Sequence, residues 1–144
     1  MILPLILLSL QLTFQPPIQR ADYNKSILIQ GSAKIVNGNQ MIPIRSASRP
    51  LKDKLIIAVF GHVKTRDGSP IIPLKSITSK IVETKTDAKG IFKFSLHPGF
   101  YTFFMVEDGK AYLNQFDGNG FFKGTQVIKS SKKIILIDDR DALY

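Results

Sequence analysis

An all-β sandwich is the fold class this sequence predicts, and three observations predict it. Short runs rich in Ile, Val, Phe and Tyr recur along the chain, and several alternate apolar with polar residues, the period of a half-buried strand. Turn residues separate these runs at short intervals. Beyond the N-terminus no stretch sustains the 3.6-residue period of a helix. About seven or eight short antiparallel strands spaced in this way indicate a sandwich or barrel.

The elements follow in order. Met1 to Phe14 is apolar, Leu/Ile-rich and uncharged. It is too short for a bilayer span, which needs about 20 residues, and it fits the apolar region of a secretory signal. Residues 1–21 are accordingly read as a signal-like segment with the start of a linker, 22–26 as linker, and 27–144 as one domain. Ser26 to Val36 is a first strand. Asn37-Gly38-Asn39 is a turn signal, since Asn and Gly tolerate positive φ. Met41 to Lys54, with two prolines, is a surface loop. Leu55 to Val63 is continuously apolar, the pattern of a strand covered on both faces. Arg66 to Pro70 is a turn, and Pro73 keeps the following stretch irregular.

Ile77 to Thr86 is β-branched and strand-like. Asp87-Ala88-Lys89-Gly90 is a tight reversal, with Asp able to bond its own backbone and Gly suited to positive φ. In Ile91 to Leu96 the residues Phe92, Phe94 and Leu96 point one way, Lys93 and Ser95 the other. His97-Pro98-Gly99 turns the chain into the aromatic strand Phe100 to Val106. Asp108-Gly109 is a further turn. Ala111 to Phe116, Thr125 to Lys129 and Lys133 to Asp138 complete the strands, with Asp117-Gly118-Asn119-Gly120 as a Gly-rich loop between the first two.

The run Thr86-Asp87-Ala88-Lys89-Gly90, then Phe92-Lys93-Phe94, then Leu96-His97-Pro98-Gly99-Phe100-Tyr101 resembles the carboxypeptidase regulatory-like domain. That resemblance implies a transthyretin-like, Greek-key sandwich. It gives Asp87, Gly90, Phe92, Phe94, Pro98, Gly99 and Tyr101 structural roles: the two turns, the core rings, and a tyrosine whose hydroxyl reaches a backbone group. Gly38 to Pro43, Val106 to Asn114, Phe116 to Gly118, and Ile137, Asp138, Ala142 and Tyr144 extend the likeness to small exported bacterial proteins made of this domain alone. It then covers about residues 30 to 144 and implies little about function.

Composition bounds the chemistry. A chain of 144 residues can bury roughly two-thirds of its unfolded surface. Its 44% apolar content, ten Phe and four Tyr argue against disorder. No cysteine is present, which excludes disulfides, thiolate nucleophiles and Cys-ligated zinc. The formal charge is +9 and favours anionic partners. The lysines are spread along the chain, however, so nucleic acid is not expected while an anionic surface is allowed.

His62 and His97 are the two histidines, and neither has ligand spacing. Asp117 and Asn119 start a calcium-like pattern that fails at position 128, which is Ile. A turn closed by Asx backbone bonds is the simpler reading. Asp138 and Asp139 are adjacent in a strand and should diverge, leaving ion pairs with Arg140 or lysines as their expected role. The end Asp141-Ala142-Leu143-Tyr144 lacks the Tyr-Arg-Gly-Ser tail of the purine-pathway hydrolase that shares the transthyretin fold.

No catalytic set, metal site or cofactor is therefore expected. The residues read as a binding edge are Phe121, Phe122 and Lys123, with Asp117 and Asn119 shaping the loop. The expected function is an exported, non-catalytic accessory or binding module of the periplasm or cell envelope, with protein or polysaccharide as partner and no stable membrane span. Two alternatives remain open: a hydrolase using His62 or His97, and a basic domain binding anionic surfaces.

Overall fold

Burial along each strand shows which sheet has a wet face. The computed structural model describes residues 25–39, 46–128 and 133–143. The signal-like segment and most of the linker lie outside the described residues. Ten strands are present among those described: β1 (Ile27–Asn39), β2 (Ser46–Pro50), β3 (Leu55–Phe60), β4 (Ile71–Pro73), β5 (Ile81–Lys85), β6 (Ile91–Leu96), β7 (Gly99–Glu107), β8 (Lys110–Tyr112), β9 (Thr125–Val127) and β10 (Lys133–Leu143). A 3₁₀ turn, Leu74–Ser76, follows β4. The all-β sandwich is thus the observed fold, built from two sheets.

The first sheet is organised on β1. Its leading half pairs with β6 and its trailing half with β2, both antiparallel, while β10 runs parallel along the opposite edge. In β6 and in the first part of β10, buried and exposed residues alternate, so this sheet has one solvated face. The second sheet runs β4-β8-β7-β3-β5, with β9 beside the start of β7. Here Ile56–Val59 and Tyr101–Val106 are buried without alternation, as the apolar run from Leu55 anticipated.

The two faces of β7 explain why. Phe103 packs against Phe94 of β6, with ring centroids 5.6 Å apart, and so faces the other sheet. Its neighbour Phe104 faces the opposite way and meets Phe122 edge-on at 4.9 Å. The segments 61–79 and 113–124 thus form an outer cover on the second sheet. They are laced together by backbone bonds from Phe122 N to Val63 O (2.9 Å) and from Thr65 N to Gly120 O (2.9 Å).

Several boundaries differ from expectation. Asn37-Gly38-Asn39 does not turn. It continues β1, because pairing with β2 on one edge and β10 on the other overrides the local preference. Ser46–Pro50, inside the expected surface loop, is β2. Ile71–Pro73 is a short edge strand on β8, and Pro73 is tolerated at its end. The strand expected from Ile77 begins only at Ile81. β10 runs to Leu143 and is parallel to β1, a long-range pairing that no local signal announces.

The Asp87–Tyr101 hairpin is built as its residues suggest. Asp87 Oδ1 accepts from the backbone N–H groups of Lys89 (2.8 Å) and Ile91 (2.9 Å). These donors hold its carboxyl below the usual carboxylate range. Gly90 has φ +76°, and a Cβ there would fall 2.5 Å from Ala33 O. Phe92, Phe94 and Leu96 are buried. The Tyr101 hydroxyl donates to His97 O at 2.8 Å, closing the second turn.

Candidate functional site

The five residues expected to form a binding edge are divided by the fold. Asp117 Oδ1 accepts from Asn119 N (2.7 Å) and Phe121 N (3.2 Å). This is an Asx turn with the same bond pattern as Asp87, so Asp117 and Asn119 shape the loop. Phe122 is only 1% exposed. It is held between Phe104 and Phe116, whose ring lies 5.6 Å away, and its ring is core rather than binding edge. Lys123 is exposed, on the side facing β10. Phe121 remains half-buried at the surface.

Phe121 does not stand alone. The His62 ring lies flat on Phe100, with centroids 4.0 Å apart and planes 19° from parallel. Phe121 meets the same imidazole edge-on at 5.9 Å and 71°. Gly124 lies close against Phe100, where a Cβ would sit 2.3 Å from the ring. These contacts make a three-ring ledge whose exposed member is His62. Stacked rings offer a flat apolar face bordered by polar edges, the surface on which sugars and other planar or faceted ligands settle. The sequence pointed to Phe121 but not to its partners, because His62 and Phe100 join it only through tertiary pairing.

Beside the ledge opens a groove of about 330 Å³, with His62 on its wall. Ile72 and Ile77 supply apolar lining; Lys64, Arg66, Ser76 and Thr78 are among the polar residues. No carboxylate lines it among the described residues. A second groove of about 300 Å³ lies between β10 and the 113–125 segment, over Phe103, Leu113, Ile134 and Leu136. Gln115 donates to Ile135 O across it at 3.3 Å.

Three acidic residues, Glu107, Asp138 and Asp139, gather elsewhere. Arg140 holds Asp138 through two bonds, Nε to Oδ1 at 2.9 Å and a terminal nitrogen to Oδ2 at 2.6 Å. It also donates to Glu107 at 3.1 Å, and Lys54 pairs with Glu107 at 3.2 Å. Its guanidinium lies 4.6 Å from the centroid of the Tyr112 ring. The Tyr112 hydroxyl donates to Asp139, which Asn114 also contacts. Arg140 holds the Asp138 carboxyl below its usual range. Burial and Asp139 together push the Tyr112 hydroxyl above its own.

β10 carries one extra residue opposite Ile35–Asn37, and this bulge lies beside the acidic pair. Asp138 does pair with Arg140, as expected. The network joins β10 of one sheet to β7 and β8 of the other, with Lys54 and Arg140 set against Glu107 and Asp138 and with Asp139 held by Tyr112 and Asn114. It is a clasp between sheets. Among the described residues no group of acidic and histidine side chains could hold a metal ion. Among the described residues no hydrogen bond joins either imidazole to a carboxylate.

No helix among the described residues is long and apolar enough to cross a membrane. No protein-family model matches the chain, and no curated protein matches it. A solved structure of a Pseudomonas aeruginosa protein provisionally described as carbohydrate-binding is similar to it at 16% identity and a TM-score of 0.48, covering 87% of this chain and 98% of that one.

Proposed function

We propose that the chain is an exported, non-catalytic binding module of the carboxypeptidase regulatory-like type, and that it holds polysaccharide on the ledge formed by His62, Phe100 and Phe121. The family reading is supported by the Asp87 turn, the inward Phe92 and Phe94, and the Tyr101–His97 bond, each in the role the motif implies. Export is read from the apolar start, Met1 to Phe14. The observation that carries the binding function is the exposed His62 ring, backed by Phe100 and cornered by Phe121 beside an open groove. A ring held flat from behind needs no reordering when a ligand stacks on it, so little affinity is lost to entropy.

Affinity electrophoresis and calorimetry of the full chain against a panel of soluble glycans test the proposal. At least one glycan is expected to bind, and His62→Ala with Phe121→Ala should weaken it tenfold or more while lowering the melting temperature by no more than about 5 °C. Binding that survives both substitutions would place the site elsewhere. A panel with no binder would overturn the polysaccharide reading.

A further inference from the structure

Resting on the reading of the His62 ledge as a glycan platform, we infer that the adjoining groove selects an acidic sugar residue, whose carboxylate or sulfate is held by Lys64 and Arg66. The segment that carries these groups is regular. Across positions 62–66 burial alternates, with His62, Lys64 and Arg66 exposed and Val63 and Thr65 half-buried. Backbone pairing of 63–65 with 120–122 holds the segment extended. Exposed positions two apart are then about 7 Å from one another on one side of the chain. A stacking ring is followed by two cations in a row, all three lining the same groove.

Charge pairing elsewhere sharpens the point. Lys54 and Arg140 are matched by Glu107 and Asp138 in the clasp. Lys64 and Arg66 have no acidic partner among the described residues. Asp67 follows Arg66 in the chain but forms no ion pair with it and does not line the groove. Two unmatched cations facing a cavity without a carboxylate leave a standing positive potential there.

The rest of the lining suits a sugar better than a bare ion. The Ser76 hydroxyl donates to Pro73 O (2.7 Å) and the Thr65 hydroxyl to Gly120 O (3.2 Å), so both oxygens keep lone pairs for donors on a ligand. Thr78 and Ser79 add two further hydroxyls. A volume of about 330 Å³ is at the low end of small-ligand sites, which run from about 300 to 1,000 Å³. Arg66 provides a planar fork for a carboxylate or sulfate, and Lys64 a point charge beside it.

The test compares polygalacturonate, its methyl-esterified neutral form, and a sulfated glycan, each titrated into the full chain by calorimetry at two salt concentrations. Polygalacturonate or the sulfated glycan is expected to bind at least tenfold tighter than the neutral form; which of the two leads identifies the anionic group. The double variant Lys64→Gln, Arg66→Gln should erase that preference and its salt dependence, leaving neutral binding and the melting temperature unchanged. Equal affinity for the neutral polymer, with no effect of the double variant, overturns this inference while the ledge reading stands. Loss of all glycan binding by the parent chain removes both. An equal loss on Lys93→Gln, on the solvated face of β6, would mean general polyanion attraction and also overturns it.

Discussion

Phe121 and Phe122 are chemically identical neighbours that the fold assigns to different tasks, and replacing each by alanine should separate stability from binding. Successive residues in an extended segment point to opposite sides. The ring contacts of Phe122 with Phe104 and of Phe121 with His62 show which side is which. Phe122 fills the space between Phe104 and Phe116 under the outer cover. Removing a fully buried benzyl group costs its transfer free energy plus the cavity left behind, about 3–5 kcal/mol. At about 4 °C per kcal/mol for a domain of this size, Phe122→Ala should lower the melting temperature by about 12–20 °C. Phe121 is half-buried and touches His62 only by an edge, so Phe121→Ala should cost about 1 kcal/mol or less. Thermal and denaturant unfolding by circular dichroism measure both. If Phe122→Ala lay within about 1 kcal/mol of the parent, or Phe121→Ala were equally destabilising, the assignment of Phe122 to the core beneath the outer cover would be refuted.

Gly90→Ala places a Cβ at positive φ and against Ala33 O, so it should destabilise by about 2 kcal/mol or more in a chemical melt. Tyr101→Phe removes the hydroxyl that closes the His97 turn; a loss of about 1 kcal/mol is expected from the same measurement. Asp138 has a folded pKa below its unfolded one. Its pairing with Arg140 therefore stabilises the fold above the unfolded value and is lost as pH falls through the folded value, below 3.8. Arg140→Gln should flatten that acid limb in a stability-against-pH series and cost about 2 kcal/mol near neutrality. This is less than for a fully buried pair because Arg140 is one-third exposed.

What the sequence made legible was whatever a few adjacent residues determine. Asp87 accepting two backbone donors, Gly90 at positive φ and the alternation of Phe92 with Phe94 are all local, and all are found. The apolar run from Leu55 correctly announced a strand covered twice, but the identity of its outer cover depends on 61–79 meeting 113–124. The Asn37-Gly38-Asn39 signal failed for the opposite reason. Its turn preference is a small local bias, and two pairing strands outweigh it. The ledge was half legible: an exposed aromatic at 121 or 122 could be anticipated, whereas His62 lies 38 positions from Phe100 and their stacking rests on the whole second sheet.

The placement of charge follows from the same architecture. The wet face of the first sheet and the double cover of the second leave few places where carboxylates can be partly buried, and the β10 bulge beside Asp138 and Asp139 is one of them. With Glu107 and Asp138 drawn into the clasp, the net charge of +9 is not cancelled evenly over the surface. The outer cover carries His62, Lys64 and Arg66 on one row because Val63 must face inward, where its carbonyl accepts from Phe122 N and its side chain joins the core. Packing of the inward residue thus fixes the outward row, and binding chemistry on that row can vary without disturbing the sheet beneath. If this is right, exchanging His62, Lys64 and Arg66 together for serine should leave the unfolding midpoint within about 1 kcal/mol of the parent while abolishing glycan binding. A collapse in stability would instead mean that the row is part of the cover and that structure and recognition are not separable here.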